Sequence, residues 1–161
     1  MNMILAVILA AAGTTVGGSA KITSSSVYYD RNEGFAYFSG KVCVEDAKYQ
    51  LHADRAYVFM NGTNELKRIV ALGHVAMTNE TKRAYGAKAS YYRDRGMVVL
   101  SADETAKTPA EVQDVTPEGV RTVRGTTIKF WTDSKQVEVI QAEIETPSEG
   151  AMGGVKNVFG R

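Results

Sequence analysis

The sequence predicts an all-β fold, and three observations support that prediction. Proline is absent between Lys21 and Thr108. Over the same region Val, Ile, Thr, Tyr and Phe alternate with polar residues at the period of two that is typical of half-buried strands. After the N-terminal segment, no stretch of ten or more residues carries the 3.6-residue apolar stripe of an amphipathic helix. We therefore expect residues 21–145 to form a folded antiparallel sheet of jelly-roll type.

Residues 1–20 differ in character from the domain that follows them. Met3 to Ala12 is an unbroken apolar run, and small residues follow it as far as Gly18-Ser19-Ala20. A short apolar run before a small-x-small sequence is typical of a secretory signal peptide, which predicts export and cleavage after Ala20. The run is too short to span a bilayer comfortably. Because Met1-Asn2 supplies no Lys or Arg, an uncleaved anchor is the alternative.

A repeated strand–turn–strand unit organises the domain. Each unit begins at a small residue: Ser24, Ala53, Gly86 or Gly125. A turn rich in Gly, Asn or Asp follows the first strand of every unit, because these residues tolerate the positive φ of tight turns. An apolar strand then returns, at Phe35–Phe38, Ile69–Leu72, Met97–Leu100 and Val137–Ile140. Such a repeat fits a jelly roll or a β-solenoid, and the short turns favour antiparallel hairpins.

Small residues also interrupt the returning strands. Gly40 and Gly73 follow the first two returns, and each is succeeded by a further alternating strand. Glycines at such positions predict corners or bulges, where the sheet bends. In the third unit Ser101 takes the place of the glycine, and the repeat decays there.

The last third of the chain is less regular. The stretch Asp103 to Gly119 is polar, and it leads into a turn flanked by two weak strands at Val112–Val115 and Val120–Val123. The Gly-rich residues 146–161 are predicted to form a flexible tail.

Composition excludes most common chemistries. The formal net charge is +1, which argues against a nucleic-acid partner, and one cysteine excludes an internal disulfide framework or a zinc site of paired cysteines. Cys43 lies between two valines and is predicted to be a small buried or half-buried apolar residue. His52, Asp54 and His74 lack a recurring third partner, so no metal site, catalytic residue or cofactor is predicted.

The apolar interior is the feature that the composition leaves for function. We expect the aromatic residues of the strands to face this interior. Side chains alone can fill it, or an open sheet can hold acyl chains in a groove. Alanines at predicted inward positions, such as Ala56, Ala71 and Ala89, favour a groove because small side chains leave space.

The spacing of these residues resembles that of a known family. The pattern is Ile22-x-Ser24…Val27-x-Tyr29-Asp30…Gly40-x-Val42-x-Val44, then Leu51-x-Ala53-Asp54-x-Ala56…Ile69-x-Ala71-x-Gly73-x-Val75, then Gly86-Ala87-x-Ala89-x-Tyr91. It resembles the LptA/OstA-like domain of exported lipopolysaccharide-transport proteins, which LptC-like proteins share. The resemblance extends over roughly Lys21 to Ile140, and Ser24, Gly86-Ala87 and Ser101 depart from the family pattern.

The resemblance implies a periplasmic β-jelly-roll, or "β-taco", without catalysis or cofactor. It implies that the acyl chains of lipopolysaccharide (its lipid A part) bind inside the fold. It also implies that like-fold transport proteins join end to end through edge strands, as a bridge between the inner and outer membranes or as head-to-tail homo-oligomers.

Alternation and resemblance together predict which side chains face the lipid. These are Val27, Tyr29, Val42, Val44, Ala56, Val58, Ile69, Ala71, Val75, Met77, Ala89, Tyr91, Met97, Val99, Ile128 and Phe130. The alternative function is a secreted structural or adhesive β-repeat module with a fully packed core.

Overall fold

Antiparallel strands make up almost the whole structure, a computed structural model that describes residues 21–45, 50–61, 66–78, 80–131 and 136–147. The strands are β1 Lys21–Thr23, β2 Ser26–Asp30, β3 Phe35–Glu45, β4 Gln50–Met60, β5 Leu66–Thr78, β6 Lys82–Tyr92, β7 Met97–Ser101, β8 Ala110–Thr116, β9 Gly119–Gly125, β10 Thr127–Trp131, β11 Val137–Ile140 and β12 Glu143–Glu145. The fold-class prediction is confirmed. The predicted signal peptide and residues 148–161 of the predicted tail lie outside the described residues.

The four predicted repeat units are four antiparallel hairpins: β2–β3, β4–β5, β6–β7 and β10–β11. In the first turn, the backbone N–H groups of Asn32 and Glu33 donate hydrogen bonds to Asp30 Oδ1, at 2.9 and 3.0 Å. The Glu33 N–H is the main cause that lowers the pKa of Asp30 below its ordinary value. The two weak strands predicted near Val112 and Val120 are the antiparallel pair β8–β9. Every pair of strands among the described residues is antiparallel, which excludes the solenoid for this part of the chain.

The four long strands β3 to β6 each belong to two half-sheets. Their register shifts along one line, which we call the spine, formed by Gly40-Lys41, Asp54, Gly73-His74 and Ala87. On one side of the spine, β2, β7, β10 and β11 complete the first half-sheet. On the other side, β1, β8, β9 and β12 complete the second half-sheet.

Two glycines make the spine possible. Gly40 and Gly73 have φ values of 76° and 78°, in the left-handed region that L-amino acids with a side chain rarely adopt. A Cβ on Gly40 would come within 2.6 Å of Ser25 Oγ, and one on Gly73 would overlap the Asp54 carboxylate. The corners predicted at these glycines are confirmed.

The departure at Ser101 has a topological cause. Strand β7 ends at Ser101, so this return strand never crosses into the second half-sheet. Its place beside β6 is taken by β8, which pairs with Lys82–Tyr85. The β8–β9 hairpin therefore accounts for the longer spacing between the third and fourth units.

The inner faces of the two half-sheets pack against each other. One cluster of buried residues joins Leu100 and Ile128 of the first half-sheet to Ala84 and Ala110 of the second. Leu100, Ile128 and Ala110 have no exposed surface. Complete burial of a Leu or Ile side chain contributes about 1.5–3 kcal/mol, so this contact is a major source of stability.

The C-terminal strands link the half-sheets at one end. After β11 the chain turns at Gln141, whose φ is 54°, and β12 pairs with β9. The guanidinium of Arg124 fastens β12 by joining Glu111 at 2.7 Å to Glu145 at 2.9 Å. At the opposite end, the chain passes from β1 of the second half-sheet directly to β2 of the first. Between these strands, the Ser25 N–H donates a hydrogen bond to the Gly40 carbonyl at 2.8 Å.

We predict that Gly73→Ala destabilises the fold more than Gly34→Ala. Both substitutions place a Cβ at positive φ, which costs on the order of 1 kcal/mol. At Gly34 the new atom lies 3.2 Å from the Met60 carbonyl oxygen, whereas at Gly73 it displaces the Asp54 carboxylate as well. Urea denaturation of both variants measures the loss of unfolding free energy in each. Equal losses would contradict the importance of the close contact between Gly73 and Asp54 in the spine.

We also predict that His74→Gln costs more stability in acid than in base. Asp54 Oδ2 lies 2.8 Å from His74 Nδ1, and this hydrogen bond, then the charge of Asp54, raises the pKa of His74. Because folding raises the pKa of His74, the protonated ring stabilises the folded state. This contribution is complete below the ordinary histidine pKa of 6.5, and it disappears as the pH rises through the pKa of the folded state.

Urea unfolding midpoints at about pH 5.5 and about pH 9, on either side of the histidine range, measure this difference. His52→Gln is the control, because the His52 ring contacts the Cys43 sulfur at 4.0 Å rather than a carboxylate. A loss of equal size at both pH values for His74→Gln would show that the ion pair does not stabilise the spine.

Candidate functional site

An uninterrupted apolar row crosses the inner face of the second half-sheet. Residues directly opposite each other in an antiparallel sheet lie on the same face, so the strand register defines this row. We call it track 2, and it consists of Ile22, Val44, Leu51, Met77, Ala84, Val112, Val123 and Ile144. It takes one residue from each of eight adjacent strands, which at about 4.8 Å per strand gives a length of about 34 Å.

The first half-sheet carries a matching row on its own inner face. We call it track 1, and it consists of Tyr29, Ala36, Val58, Ile69, Tyr91, Val98, Phe130 and Val137. Neither track contains a charged residue. Each half-sheet therefore lines the interior with one apolar track, and each track takes one residue from each of eight strands.

The inner face contains fully buried and half-buried side chains. Next to the spine, Val42, Ala71 and Val75 are at most 2% exposed. In the tracks burial varies: Ala36 and Val58 are at most 3% exposed, whereas Ile69, Tyr91 and Met77 are half-buried and pack against the buried clusters. The half-buried track residues leave apolar surface open on the inner face, and we call the space between the two tracks the groove.

Fourteen of the sixteen predicted lipid-facing residues lie on this inner face. Seven belong to the tracks: Tyr29, Val44, Val58, Ile69, Met77, Tyr91 and Phe130. The other seven form the rows next to the spine: Val27, Val42, Ala56, Ala71, Val75, Ala89 and Ile128.

Met97 and Val99 lie on the opposite face, so their predicted inward position is wrong. Val98 pairs with Tyr91 and Leu100 pairs with Ala89, which places these two residues on the inner face instead. The segment Met97–Leu100 is apolar at every position, and a period-two pattern cannot select a face in such a run.

The sequence pattern did not identify several residues of the inner face, because they lie outside the repeat. Track 2 includes Ile22 on β1, Val112 on β8 and Ile144 on β12, strands that the repeat does not contain. Ala36, between Phe35 and Tyr37, was missed because its neighbours are larger and equally apolar. Alternation from the inward-facing Val27 and Tyr29 across the first hairpin would have identified it.

Aromatic residues divide between the two faces, contrary to the expectation that they face the interior. Tyr29, Phe38, Tyr91 and Phe130 lie on the inner face. Tyr37 and Tyr57 pair across β3 and β4 on the outer face, with ring centroids 4.7 Å apart.

The other candidate groups show no activated chemistry. Burial, followed by the charge of Glu45, raises the pKa of the Cys43 thiol, which opposes formation of a reactive thiolate. Within the described residues, no three His, Cys, Asp or Glu side chains converge as metal ligands. The same residues contain no helix of the length and hydropathy that crossing a membrane requires.

Exposed apolar side chains concentrate on edge strands. Val27 and Tyr28 on β2 are both 55% exposed, and Val137 on β11 and Ile144 on β12 are 60% and 66% exposed. Among the described strands, β2 pairs only with β3, β11 only with β10 and β12 only with β9. An edge strand with unpaired backbone groups and exposed apolar side chains is a template for pairing with another chain.

Comparison with known proteins agrees with this architecture. The family model for the LptA/(LptD N-terminal domain) LPS transport protein matches residues 21–142. Among solved structures, the chain is similar to LptH of Pseudomonas aeruginosa, described as the LptA homologous periplasmic component of the conserved lipopolysaccharide transport device. The TM-score is 0.65 at 16% sequence identity, over 79% of this chain and 94% of that chain, which shows a shared fold. No curated protein sequence matches the chain.

The family match covers every described strand from β1 to β11, including the spine and nearly all of both tracks. The chain belongs to the LptA/(LptD N-terminal domain) LPS transport protein family.

Proposed function

We propose that this protein is an exported periplasmic carrier of lipopolysaccharide that holds the acyl chains between its two apolar tracks. The observation that carries the proposal is the pair of tracks, to each of which eight strands contribute one residue without a charged interruption. Each CH₂ group that leaves water for such a surface contributes about 0.8 kcal/mol. Several acyl chains therefore bind tightly without a charged clamp.

The half-buried residues of the tracks support a route by which lipid enters. Leu100 and Ile128, beside the spine, are fully buried, whereas the track residues Ile69, Tyr91 and Met77 are half-buried. We infer that acyl chains enter at the margins, and that the sugar and phosphate groups stay in solvent outside them. The predicted signal peptide of residues 1–20 agrees with a periplasmic location.

The edges of the sheet support the bridging part of the proposal. The first half-sheet ends in β2, of five residues, and in β11, of four. The second half-sheet ends in β1 and β12, of three residues each. Because the strands at opposite ends differ in length by at most one residue, one copy or a like-fold partner can continue both half-sheets at once. Both apolar tracks then extend from one molecule into the next.

A specific observation supports the alternative of a packed structural module. Leu100 and Ile128 are fully buried, so side chains alone fill the centre of the interior. Lipid binding in the groove requires the tracks to accept a ligand beside this packed centre, and the next experiment tests that requirement.

We predict that Tyr91→Ser weakens lipopolysaccharide binding at least about tenfold. Tyr91 belongs to track 1, and loss of one aromatic contact with an acyl chain costs about 1.5–3 kcal/mol. Tyr92→Ser is the matched control, because Tyr92 is the next residue on β6 and pairs with Arg68 and Met97 on the outer face. Fluorescence displacement with purified lipopolysaccharide measures both affinities.

Met77→Asn and Ala76→Asn form a second matched pair, on β5 and the second half-sheet. Met77 lies in track 2, whereas Ala76 pairs with His52 on the outer face. Circular dichroism checks that each variant keeps its strands. If both inner variants fold and bind lipopolysaccharide as tightly as the unmodified chain, the interior is a packed core and the structural alternative is correct.

We also predict that a charge on an edge strand prevents end-to-end association. Lys introduced at Val27 or at Val137 places an ammonium group against the incoming strand, and charged edges disfavour strand addition. Size-exclusion chromatography with light scattering should show concentration-dependent association that both variants lose. Tyr85→Lys is the control, because β6 has a neighbour on both sides of Tyr85. Association unchanged in the edge variants would exclude pairing through these strands.

A further inference from the structure

The outer faces of the two half-sheets differ in aromatic content. Seven aromatic side chains lie on the outer face of the first half-sheet: Tyr28, Phe35, Tyr37, Tyr57, Phe59, Tyr92 and Trp131. Within the described residues, the outer face of the second half-sheet carries Tyr85 alone. Strand residues alternate between faces, so these seven rings take no part in the groove.

Five of the seven rings form one connected surface. Ring centroids are 5.9 Å apart for Tyr28 and Phe35, and 6.3 Å apart for Phe35 and Phe59. The series continues through Tyr57, 6.4 Å from Phe59, to Tyr37, 4.7 Å from Tyr57. These separations are typical of interacting aromatic pairs. We call the seven rings the outer aromatic face.

The charges on this face are predominantly basic. Among the described residues its four basic side chains are Arg55, Arg68, Lys88 and Lys129, against the two acidic ones Asp30 and Glu138, and Lys129 pairs with Glu138 at 3.0 Å. The outer face of the second half-sheet has the opposite balance, with Lys21, Arg83 and Arg124 against Glu45, Glu111, Glu143 and Glu145. Basic charge and aromatic rings therefore coincide on one face.

Two guanidinium groups share a single ring at the margin of this face. Arg68 lies 4.9 Å and Arg95 lies 5.9 Å from the centroid of the Tyr92 ring. The buried Nε of Arg68 finds no hydrogen-bond acceptor among the described residues, and Arg95 is 3.9 Å from an exposed Asp94 carboxylate. The two guanidinium groups repel each other because both are positively charged. An anion beside Tyr92 would therefore be stabilised by Arg68 and by Arg95.

We propose that the outer aromatic face docks on the surface of a bilayer that contains anionic phospholipids. Aromatic rings favour the headgroup level of a membrane, where one edge is apolar and the other is hydrated. Lys and Arg beside them gain energy from the negative surface potential of anionic lipids. Charge complementarity selects this partner, since the basic balance coincides with the rings on the first half-sheet and not on the second.

Cosedimentation of the full chain with vesicles tests this proposal. The chain should bind vesicles of mixed phosphatidylglycerol and phosphatidylcholine, bind phosphatidylcholine alone more weakly, and lose affinity with added salt. Tyr92→Ser and Arg68→Gln should each lower the partition coefficient roughly fivefold to tenfold. Tyr28→Ser, at a site that is 55% exposed, should lower it without affecting folding.

Tyr85→Ser and Arg83→Gln, on the outer face of the second half-sheet, are the matched controls and should leave vesicle binding unchanged. Tyr91→Ser should also leave it unchanged, so this proposal and the groove proposal can fail separately. Absence of vesicle binding, or an equal loss in the controls, would overturn the proposal. Self-association that Tyr92→Ser abolishes, without vesicle binding, would instead make this face an interface between copies.

Discussion

The positive φ of two successive residues, Gly40-Lys41 and Gly73-His74, is the constraint on which the rest of the structure depends. A regular strand of eleven to thirteen residues would extend one sheet in one direction. The two bulges instead divide each long strand between two half-sheets whose inner faces pack together. Only glycine adopts the first φ of each pair without steric cost and leaves space for the Ser25 or Asp54 side chain beside it.

The spine also determines which residues face the interior on each strand. In β3 and β5 the two-residue bulge keeps the alternation in phase, so Phe38 and Val42 share the inner face, as do Ala71 and Val75. In β4 and β6 one residue, Asp54 or Ala87, stands opposite each bulge, and the inward phase changes there. Both apolar tracks remain continuous because the shifts occur in the same line on four adjacent strands.

The sequence predicted those features of the fold that depend on a few neighbouring residues. Turn residues and alternating strands predicted the four hairpins, and Gly40 and Gly73 predicted the corners, because each depends on a few neighbouring residues. The pairing of β12 with β9, and of β8 with β6, depends on long-range contacts that no local pattern encodes. The uniformly apolar Met97–Leu100 has no intrinsic preference for a face, so the two wrong positions in the groove lie there.

Alternation allows one sheet to carry two unrelated apolar surfaces, and Tyr91 and Tyr92 illustrate the consequence. Tyr91 faces the groove and Tyr92 faces Arg68 and Arg95, although the two residues are adjacent on β6. If the groove were the only functional surface, the outer face of the first half-sheet would need no aromatic residues. The outer face of the second half-sheet carries only Tyr85 among the described residues. Exposed apolar side chains such as Tyr28, and edge strands, favour aggregation unless a partner covers them. The concentration of rings and basic side chains on the first half-sheet is therefore the basis of the membrane contact that we propose for its outer face.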